Sequence, residues 1–294
     1  LRRADWIHVG LGGGLKQINF SKDSPVDQID MNFDFNYDAD TNGNSNPIKI
    51  DQKNEITFKD TSKLKFDFGI KTSGKNTTIT RKTPDFPFIK INKKKNITLD
   101  FEAANYKFWT YDWRISFEKG DKYNSWNSDG YKREFYKIAG SYFPNDNIKI
   151  NLQYRIRKEN EWLIWTEDNK FGLYDSEQDT VSIGLNWFSG NKHEIRLKSQ
   201  FVALQADNPR SLISDSGGYL YETDDLIKPF TQGVVSFQVR YKYEIAPLSY
   251  LYLVYSKGGT SYDEDEDYSK SEIFNQPWNN PSDEVYSIKF RLKY

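Results

Sequence analysis

The residues best suited to binding or catalysis are charged side chains that recur at every second or fourth position. The acidic set is Asp30, Asp34, Asp38, Asp100 and Glu102. The basic set, later in the chain, is Arg155, Arg157, Arg196, Lys198, Arg240, Lys242, Lys289, Arg291 and Lys293. If both sets line one lumen, an acidic arc faces a basic arc, and the transverse field orients polar solutes such as sugars. The alternative is that these charges pair with one another and fill the interior.

The two histidines offer little basis for catalysis. His8 and His193 are the only ones in the chain, and a Ser-His-Asp hydrolase needs its histidine beside a nucleophilic serine. The glycine-rich run from Gly10 to Gly14 lacks the Gly-Lys-Ser/Thr ending of a phosphate-binding loop, and it is more typical of a bend or of close strand packing. We therefore predict no catalytic residues and no cofactor, and an enzymatic role is disfavoured.

Two short charged runs are weak candidates for ion binding. Carboxylates at Asp263, Asp265 and Asp267 could coordinate calcium, but the run lacks the spacing and the glycine of an EF-hand loop. A solvated acidic loop is the favoured interpretation, so we predict no metal site. The basic run at residues 93–95 would meet lipid phosphates if it lies at a membrane surface, and it is equally consistent with a hydrophilic strand end.

These charges are positioned by segments in which apolar and polar residues alternate. The clearest such segments are residues 29–37, 64–70, 109–117, 148–156, 235–245 and 286–294. Alternation places the two kinds of side chain on opposite faces of a strand. Several segments keep phase over about 9 to 11 residues, the length that a tilted transmembrane strand needs. A soluble β-sandwich or propeller is the alternative, although soluble strands average only about 5 to 6 residues.

The last segment indicates where the protein resides. Its apolar face is Tyr286, Ile288, Phe290, Leu292 and Tyr294. An apolar outward face, a charged inward face and an aromatic end are typical of the closing strand of a bacterial outer-membrane β-barrel. We therefore interpret these residues as the C-terminal barrel signal.

Bulk composition agrees with a barrel although the mean hydropathy is only −0.81. A barrel strand shows lipid at every second residue, so no long apolar run is needed. The aromatic content of 16% suits girdles at the membrane surfaces. The absence of cysteine excludes disulfides and thiol chemistry, and the net charge of −1 gives no support for a nucleic-acid partner.

The connections between strands predict the direction of each strand. Short turns near residues 144–147, 189–192 and 246–249 alternate with long loops near 119–130, 160–177, 207–230 and 258–282. Barrels have short periplasmic turns and long extracellular loops. Counting back from the last strand gives about thirteen strands, with the first, at residues 6–20, also running inward. Complete bacterial barrels have an even number, so either a strand is missed or, as we favour, the chain is the C-terminal part of a longer barrel.

The C-terminal part also resembles a known family. Residues 241–256, YKYEIAPLSYLYLVYS, followed by a polar loop and the closing YSIKFRLKY, are similar to the outer-membrane barrel family called domain of unknown function 5916. The opening LRRAD is similar to a segment within that family's barrel. The resemblance implies the fold and the location, and an N-terminal family-9-like carbohydrate-binding domain that these residues do not contain. The family implies no activity and no catalytic residues.

The sequence thus predicts one domain over residues 1–294, an all-β transmembrane antiparallel up-and-down β-barrel of about 13–14 strands in this chain. The predicted location is the outer membrane of a Gram-negative bacterium. The predicted function is porin-like transport of polar solutes, including saccharides. The alternatives are a closed barrel that serves as an anchor or subunit of a larger complex, and, less favoured, a hydrolase. The expected partners are the lipid bilayer with lipopolysaccharide, the barrel assembly machinery acting on the last strand, and other outer-membrane subunits.

Overall fold

The computed structural model describes residues 6–40, 45–80, 88–121, 130–264 and 268–293. The strands are β1 Trp6–Gln17, β2 Val26–Asp40, β3 Lys49–Phe58, β4 Lys63–Lys71, β5 Gly74–Asn76, β6 Ile89–Ile91, β7 Lys94–Glu102, β8 Trp109–Gly120, β9 Lys132–Asn145, β10 Ile148–Glu167, β11 Lys170–Ser189, β12 His193–Ser214, β13 Leu220–Thr223, β14 Phe230–Ala246, β15 Ser249–Asp263 and β16 Asp283–Arg291. The helix α1, Lys270–Asn279, lies between β15 and β16. Across these residues, no helix has the length and apolar character needed to cross a membrane.

One large sheet contains nearly all of the strands. Its order is β1-β2-β3-β4-β7-β8-β9-β10-β11-β12-β14-β15-β16, with β13 beside β12, whereas β5 and β6 form a separate ribbon. Each of the thirteen strands pairs antiparallel with its neighbour. The predicted all-β, antiparallel up-and-down fold is therefore confirmed, as is the count. In the described part of the chain the sheet is open between β1 and β16, and these two edge strands run in the same direction.

The register keeps two chemically different faces in phase across the sheet. Along one face, Trp113, Ile138, Tyr154, Val181 and Phe201 lie opposite one another on successive strands. We call this the apolar face. One residue away on each strand lies the other series, which begins with Asp112 and continues through Ala139, Gln153, Ser182 and Gln200. We call this the polar face. A slip of one residue at any strand would exchange the two faces, so the alternation in the sequence determines the register.

The connections at the outer end of the sheet differ from the predicted pattern. We call the end of the sheet with the β3–β4, β9–β10, β11–β12 and β14–β15 turns the inner end, and the opposite end the outer end. The predicted long loop at residues 160–177 is wrong, because β10 and β11 continue as 20-residue strands to a tight turn at Asp168, which has a positive φ of 40°. The predicted loops at 207–230 and 258–282 likewise contain strand and helix. The loop at 119–130 lies mostly outside the described residues.

Two apolar clusters at the outer end account for the longer strands. In the first, Ile89 of β6 is fully buried in a cluster with residues of β10 to β13, namely Leu163, Phe171, Leu173, Leu212 and Leu220. The β4–β7 connection thus reaches the outer parts of β10 to β12, and its Lys90 N–H donates to the carbonyl of Gly218 at 2.7 Å. The second cluster joins Tyr174, Ala206 and Phe230. Burial of apolar side chains in the two clusters stabilises the polar-rich outer parts of β10, β11 and β12 as strands.

Candidate functional site

A cavity of about 620 Å³ lies on the polar face. Its walls come from six neighbouring strands, β8 to β12 and β14. Because such strands stand about 4.8 Å apart in a sheet, the cavity extends across about 24 Å of the polar face and is open to one side. We call this space the polar cavity.

The wall of the polar cavity is mostly amide and hydroxyl groups. Its side chains include Ser141, Asn151, Gln153, Ser182, Gln200 and Gln238. The Ser141 hydroxyl donates to Asn151 at 2.8 Å, so part of this wall is held in place by cross-strand hydrogen bonds. Of the charged groups that line it, Asp112 binds Lys137 on the next strand, and Lys198 is exposed. The cavity can therefore exchange hydrogen bonds with a neutral polar solute, since amides and hydroxyls both donate and accept.

A cluster of charges lies on the polar face near its outer end. The Glu118 side chain is only 4% exposed and is surrounded by Lys71 at 3.5 Å, Lys94 at 3.7 Å and Arg133 at 3.2 Å. Lys94 also lies 3.2 Å from the centre of the Tyr131 ring. We call these residues the Glu118 cluster. The three cations offset the desolvation of the Glu118 carboxylate, and their contacts with it join β4, β7, β8 and β9.

A second cluster of charges lies near the inner end. Glu194 on β12 is bound by Arg196 of the same strand and approached by two residues of β14, Arg240 at 3.5 Å and Lys242 at 3.7 Å. Its side chain is 12% exposed. The basic residues outnumber their carboxylate, so this end of the polar face is positive.

The predicted acidic residues all lie on the polar face, and four of them pair with a basic side chain. Asp34 binds Lys53 at 3.0 Å and Asp38 binds His8 at 2.7 Å. Asp100 accepts from Nε of Arg114 at 2.8 Å. Glu102 binds Lys65 at 2.7 Å. Asp30 accepts a hydrogen bond from the Gln28 side chain.

The predicted basic residues share that face but differ in their surroundings. Arg157 binds Glu159 on its own strand, and Arg155 lies opposite Thr180. Arg196, Arg240 and Lys242 surround Glu194, whereas Lys198 lines the polar cavity. Lys289 and Arg291 are exposed on the edge strand β16. Basic side chains thus lie beside the acidic set, and carboxylates lie beside the basic set. The structure interleaves charges that the sequence presents as separate runs.

The two histidines and the glycine run contact residues of the neighbouring strands. The His8 ring forms a hydrogen bond with Asp38, and His193 Nδ1 lies 2.7 Å from the Tyr241 hydroxyl. Neither of these hydrogen-bond partners is a serine. The glycine run lies in β1 against β2. A Cβ at Gly12 would stand 3.0 Å from Asp34, which indicates close strand packing.

The remaining predicted residues fall at the edges of the described chain. Asp263 accepts a hydrogen bond from the Tyr268 hydroxyl at 3.2 Å, while Asp265 and Asp267 lie outside the described residues. Within the described ranges, no group of three or more His, Cys, Asp or Glu is arranged to hold a metal. Tyr286, Ile288 and Phe290 share the apolar face of β16. Leu292 follows that strand, and Tyr294 lies outside the described residues.

The neutral lining of the polar cavity is what the sequence reasoning missed. Its residues occupy the polar positions of the alternating segments, as Asn151 and Gln153 do between Ile150, Leu152 and Tyr154. A search restricted to charged side chains passes over them. The signal that could have found them is the recurrence of uncharged amides and hydroxyls at these positions.

Comparisons with known proteins add little. No family model matches the chain, so its resemblance to domain of unknown function 5916 stays a prediction. No curated protein matches it. Among solved structures, OmpT, an outer membrane protein of Vibrio cholerae, aligns over 90% of each chain at 9% identity with a TM-score of 0.32. At that TM-score the similarity carries no argument, and the fold assignment rests on the strand order and register of this chain.

Proposed function

We propose that this chain forms the wall of an outer-membrane β-barrel that passes neutral, hydroxyl-rich solutes such as saccharides along its polar face. The observation that carries the proposal is the pairing of a mostly apolar face with a polar face that holds a cavity lined mainly by neutral amides and hydroxyls. The apolar face supports a lipid environment, and the cavity supports the class of solute.

The apolar face is exposed to an extent that water does not favour. Ile138 is 60% exposed, Leu152 is 56% exposed and Ile288 is 69% exposed. Large continuous apolar surfaces of this kind mark contact with a membrane or with another protein. On β11 the apolar residues run from Val181 to Trp187, which is about 20 Å at about 3.3 Å per residue. Because barrel strands tilt by about 35–45°, this run spans about 15 Å of height. The longer apolar run on β14, from Val235 to Ile245, is about 33 Å long and spans about 25 Å of height, which matches the apolar band of about 25 Å in outer-membrane barrels.

Aromatic rings near both limits of the apolar face support the same environment. Near the inner end, the Trp109 ring stacks on Tyr106 at 4.7 Å and on Tyr111 at 5.3 Å between ring centres. Near the outer end, Phe117 contacts Tyr136 edge to face at 6.0 Å. Amphipathic rings favour the boundary between lipid tails and headgroups. Lipid with lipopolysaccharide is the proposed surrounding, and β16 is the strand that the barrel assembly machinery would engage.

Solute passage is tested with the protein purified from native membranes and reconstituted into vesicles. We expect swelling in glucose and maltose to exceed swelling in glucosamine, a cation of similar size to glucose, because Lys198 and the basic residues around Glu194 make this part of the polar face positive. The variant Ser182→Tyr places a ring in the polar cavity and should slow maltose several-fold. Its matched control, Ile183→Tyr, adds a ring on the apolar face one residue away and should leave the rate unchanged. Equal rates for both variants, or no passage by the unaltered protein, would refute the transport proposal.

The second candidate function is that of a closed barrel that serves as a membrane anchor or as a subunit of a larger complex, and the clusters at the outer end favour it. The Glu118 cluster and the second apolar cluster, Tyr174, Ala206 and Phe230, lie along the polar face at the end through which a solute would enter. A barrel closed there would insert into vesicles without conducting ions. Inserted protein that shows no conductance and co-purifies with other outer-membrane subunits would replace the transport proposal with this one.

A further inference from the structure

The helix α1 packs on the apolar face, where a membrane barrel would meet lipid. Ile273 is fully buried, its carbonyl lies against Gly233, and the carbonyl of Pro277 lies against Gly259. A Cβ at either glycine would collide with the helix, so the two glycines allow the close approach. The Trp278 ring meets Phe237 edge to face at 5.4 Å. The helix therefore takes the place of lipid over β12, β14 and β15.

The opposite side of α1 is polar. Ser271, Glu272, Asn275 and Asn279 are exposed. Polar groups that face hydrocarbon cannot exchange hydrogen bonds with water, and each unsatisfied group costs several kcal/mol. The outward side of α1 therefore belongs outside the hydrocarbon layer.

Charged side chains lie on the apolar face beside the first turn of the helix. Glu134, Lys158 and Glu177 are opposite one another on β9, β10 and β11, and Lys158 binds Glu177 at 3.2 Å. Lys270 of α1 binds Glu177 and lies 2.6 Å from Asp179, whose side chain is 1% exposed. We call these charges the boundary row. From Val181 inward, β11 presents only apolar residues on this face as far as Trp187.

The geometry points to α1 and the boundary row as the outer limit of the hydrocarbon layer, with α1 lying in the lipid headgroup layer. This inference rests on the proposed function, because it assumes that the apolar face contacts lipid. It places the outer parts of β10, β11 and β12, together with β13 and the two apolar clusters, beyond the membrane. The chain would then carry a projecting β-structure on the outer side of a membrane-embedded wall.

The depth of single nitroxide labels in vesicles tests the placement, and the absence of cysteine lets one be introduced at a time. We expect a label at Ile183 to collide mainly with oxygen, which dissolves in lipid. Labels at Asn275 on α1 and Glu222 on β13 should collide mainly with a water-soluble nickel chelate, with a several-fold reversal of the ratio. Asn279, on the same exposed side of α1, provides a second position if one label perturbs the helix.

The outcomes separate the two proposals. A label at Asn275 that matches the oxygen preference of Ile183 would overturn the placement of α1 and leave the membrane-embedded wall intact. A label at Ile183 as accessible to nickel as Glu222 would overturn the proposed function itself.

Discussion

Replacing Glu118 with glutamine should destabilise the protein more than any comparable change on the polar face. The Glu118 carboxylate is 4% exposed and binds Lys71, Lys94 and Arg133, so the change leaves three cations gathered without the charge that holds them together. Breaking a buried ion pair costs about 3 to 5 kcal/mol. Because the Lys71 and Arg133 side chains are 37% and 36% exposed, water screens part of their repulsion. We therefore expect a loss of about 3 kcal/mol, at the lower end of that range.

The assay is urea unfolding of the reconstituted protein, followed by tryptophan fluorescence and by the gel shift between folded and unfolded forms. With a slope of about 1 to 3 kcal/mol per molar urea, the midpoint should fall by about 1 to 3 M. The two probes must give coincident transitions for the free energy to be meaningful.

Glu55→Gln is the matched control. Glu55 lies on the same face and binds Lys63 at 2.7 Å and Lys65 at 3.7 Å, but its side chain is 27% exposed. Exposed pairs contribute about 0.2 to 1 kcal/mol, so this variant should lose less than about 1 kcal/mol. If both variants lose the same stability, burial of Glu118 is not what makes its cluster important, and the reasoning fails.

Two further predictions concern the outer end. Ile89→Ala should lower local stability by about 2 to 5 kcal/mol, because the side chain is fully buried against three strands. Faster amide hydrogen exchange in the outer parts of β10 and β11 would show it, with Leu226→Ala, at a 100% exposed residue, as the control; unchanged exchange would contradict it. Hydrogen bonds from the Ser269 hydroxyl and backbone lower the pKa of Glu272. The ionised Glu272 therefore stabilises α1 fully above its ordinary pKa of 4.5, and this stabilisation is lost as the pH falls through the lower pKa of the folded state. A nitroxide label at Asn275 should consequently become more mobile in acid. Constant mobility would contradict this.

The sheet could be predicted from the sequence because alternation acts residue by residue. Ile148, Ile150, Leu152, Tyr154 and Ile156 assign both faces of β10 without knowledge of its neighbours. The inner turns were predictable for a similar reason, since turn chemistry is local. The capping box of Ser269 and Glu272 is also a local signal, and it could have indicated α1 inside the expected loop.

The candidate site depended on information that single strands do not carry. Pairing of Glu102 with Lys65 or of Asp34 with Lys53 follows from the register between strands, which also mixes the charges into local pairs. The length of β10 and β11 depends on Ile89, which approaches from far earlier in the chain. The stretch at residues 160–177 contains enough acidic and amide residues to resemble a loop, and contacts that are distant in sequence, in both apolar clusters, help to stabilise it as a strand.

The contact of the β4–β7 connection with β10 to β12 also bears on how the chain folds. Neighbouring strands of the large sheet are consecutive or nearly so in the sequence. The sheet can therefore grow one hairpin at a time with little loop-closure entropy. The contacts of this connection with β10 to β12 cannot form until β12 has been added, and its Lys90–Gly218 hydrogen bond joins residues 128 positions apart in the sequence. We expect these contacts to form last, as the step that follows assembly of the wall.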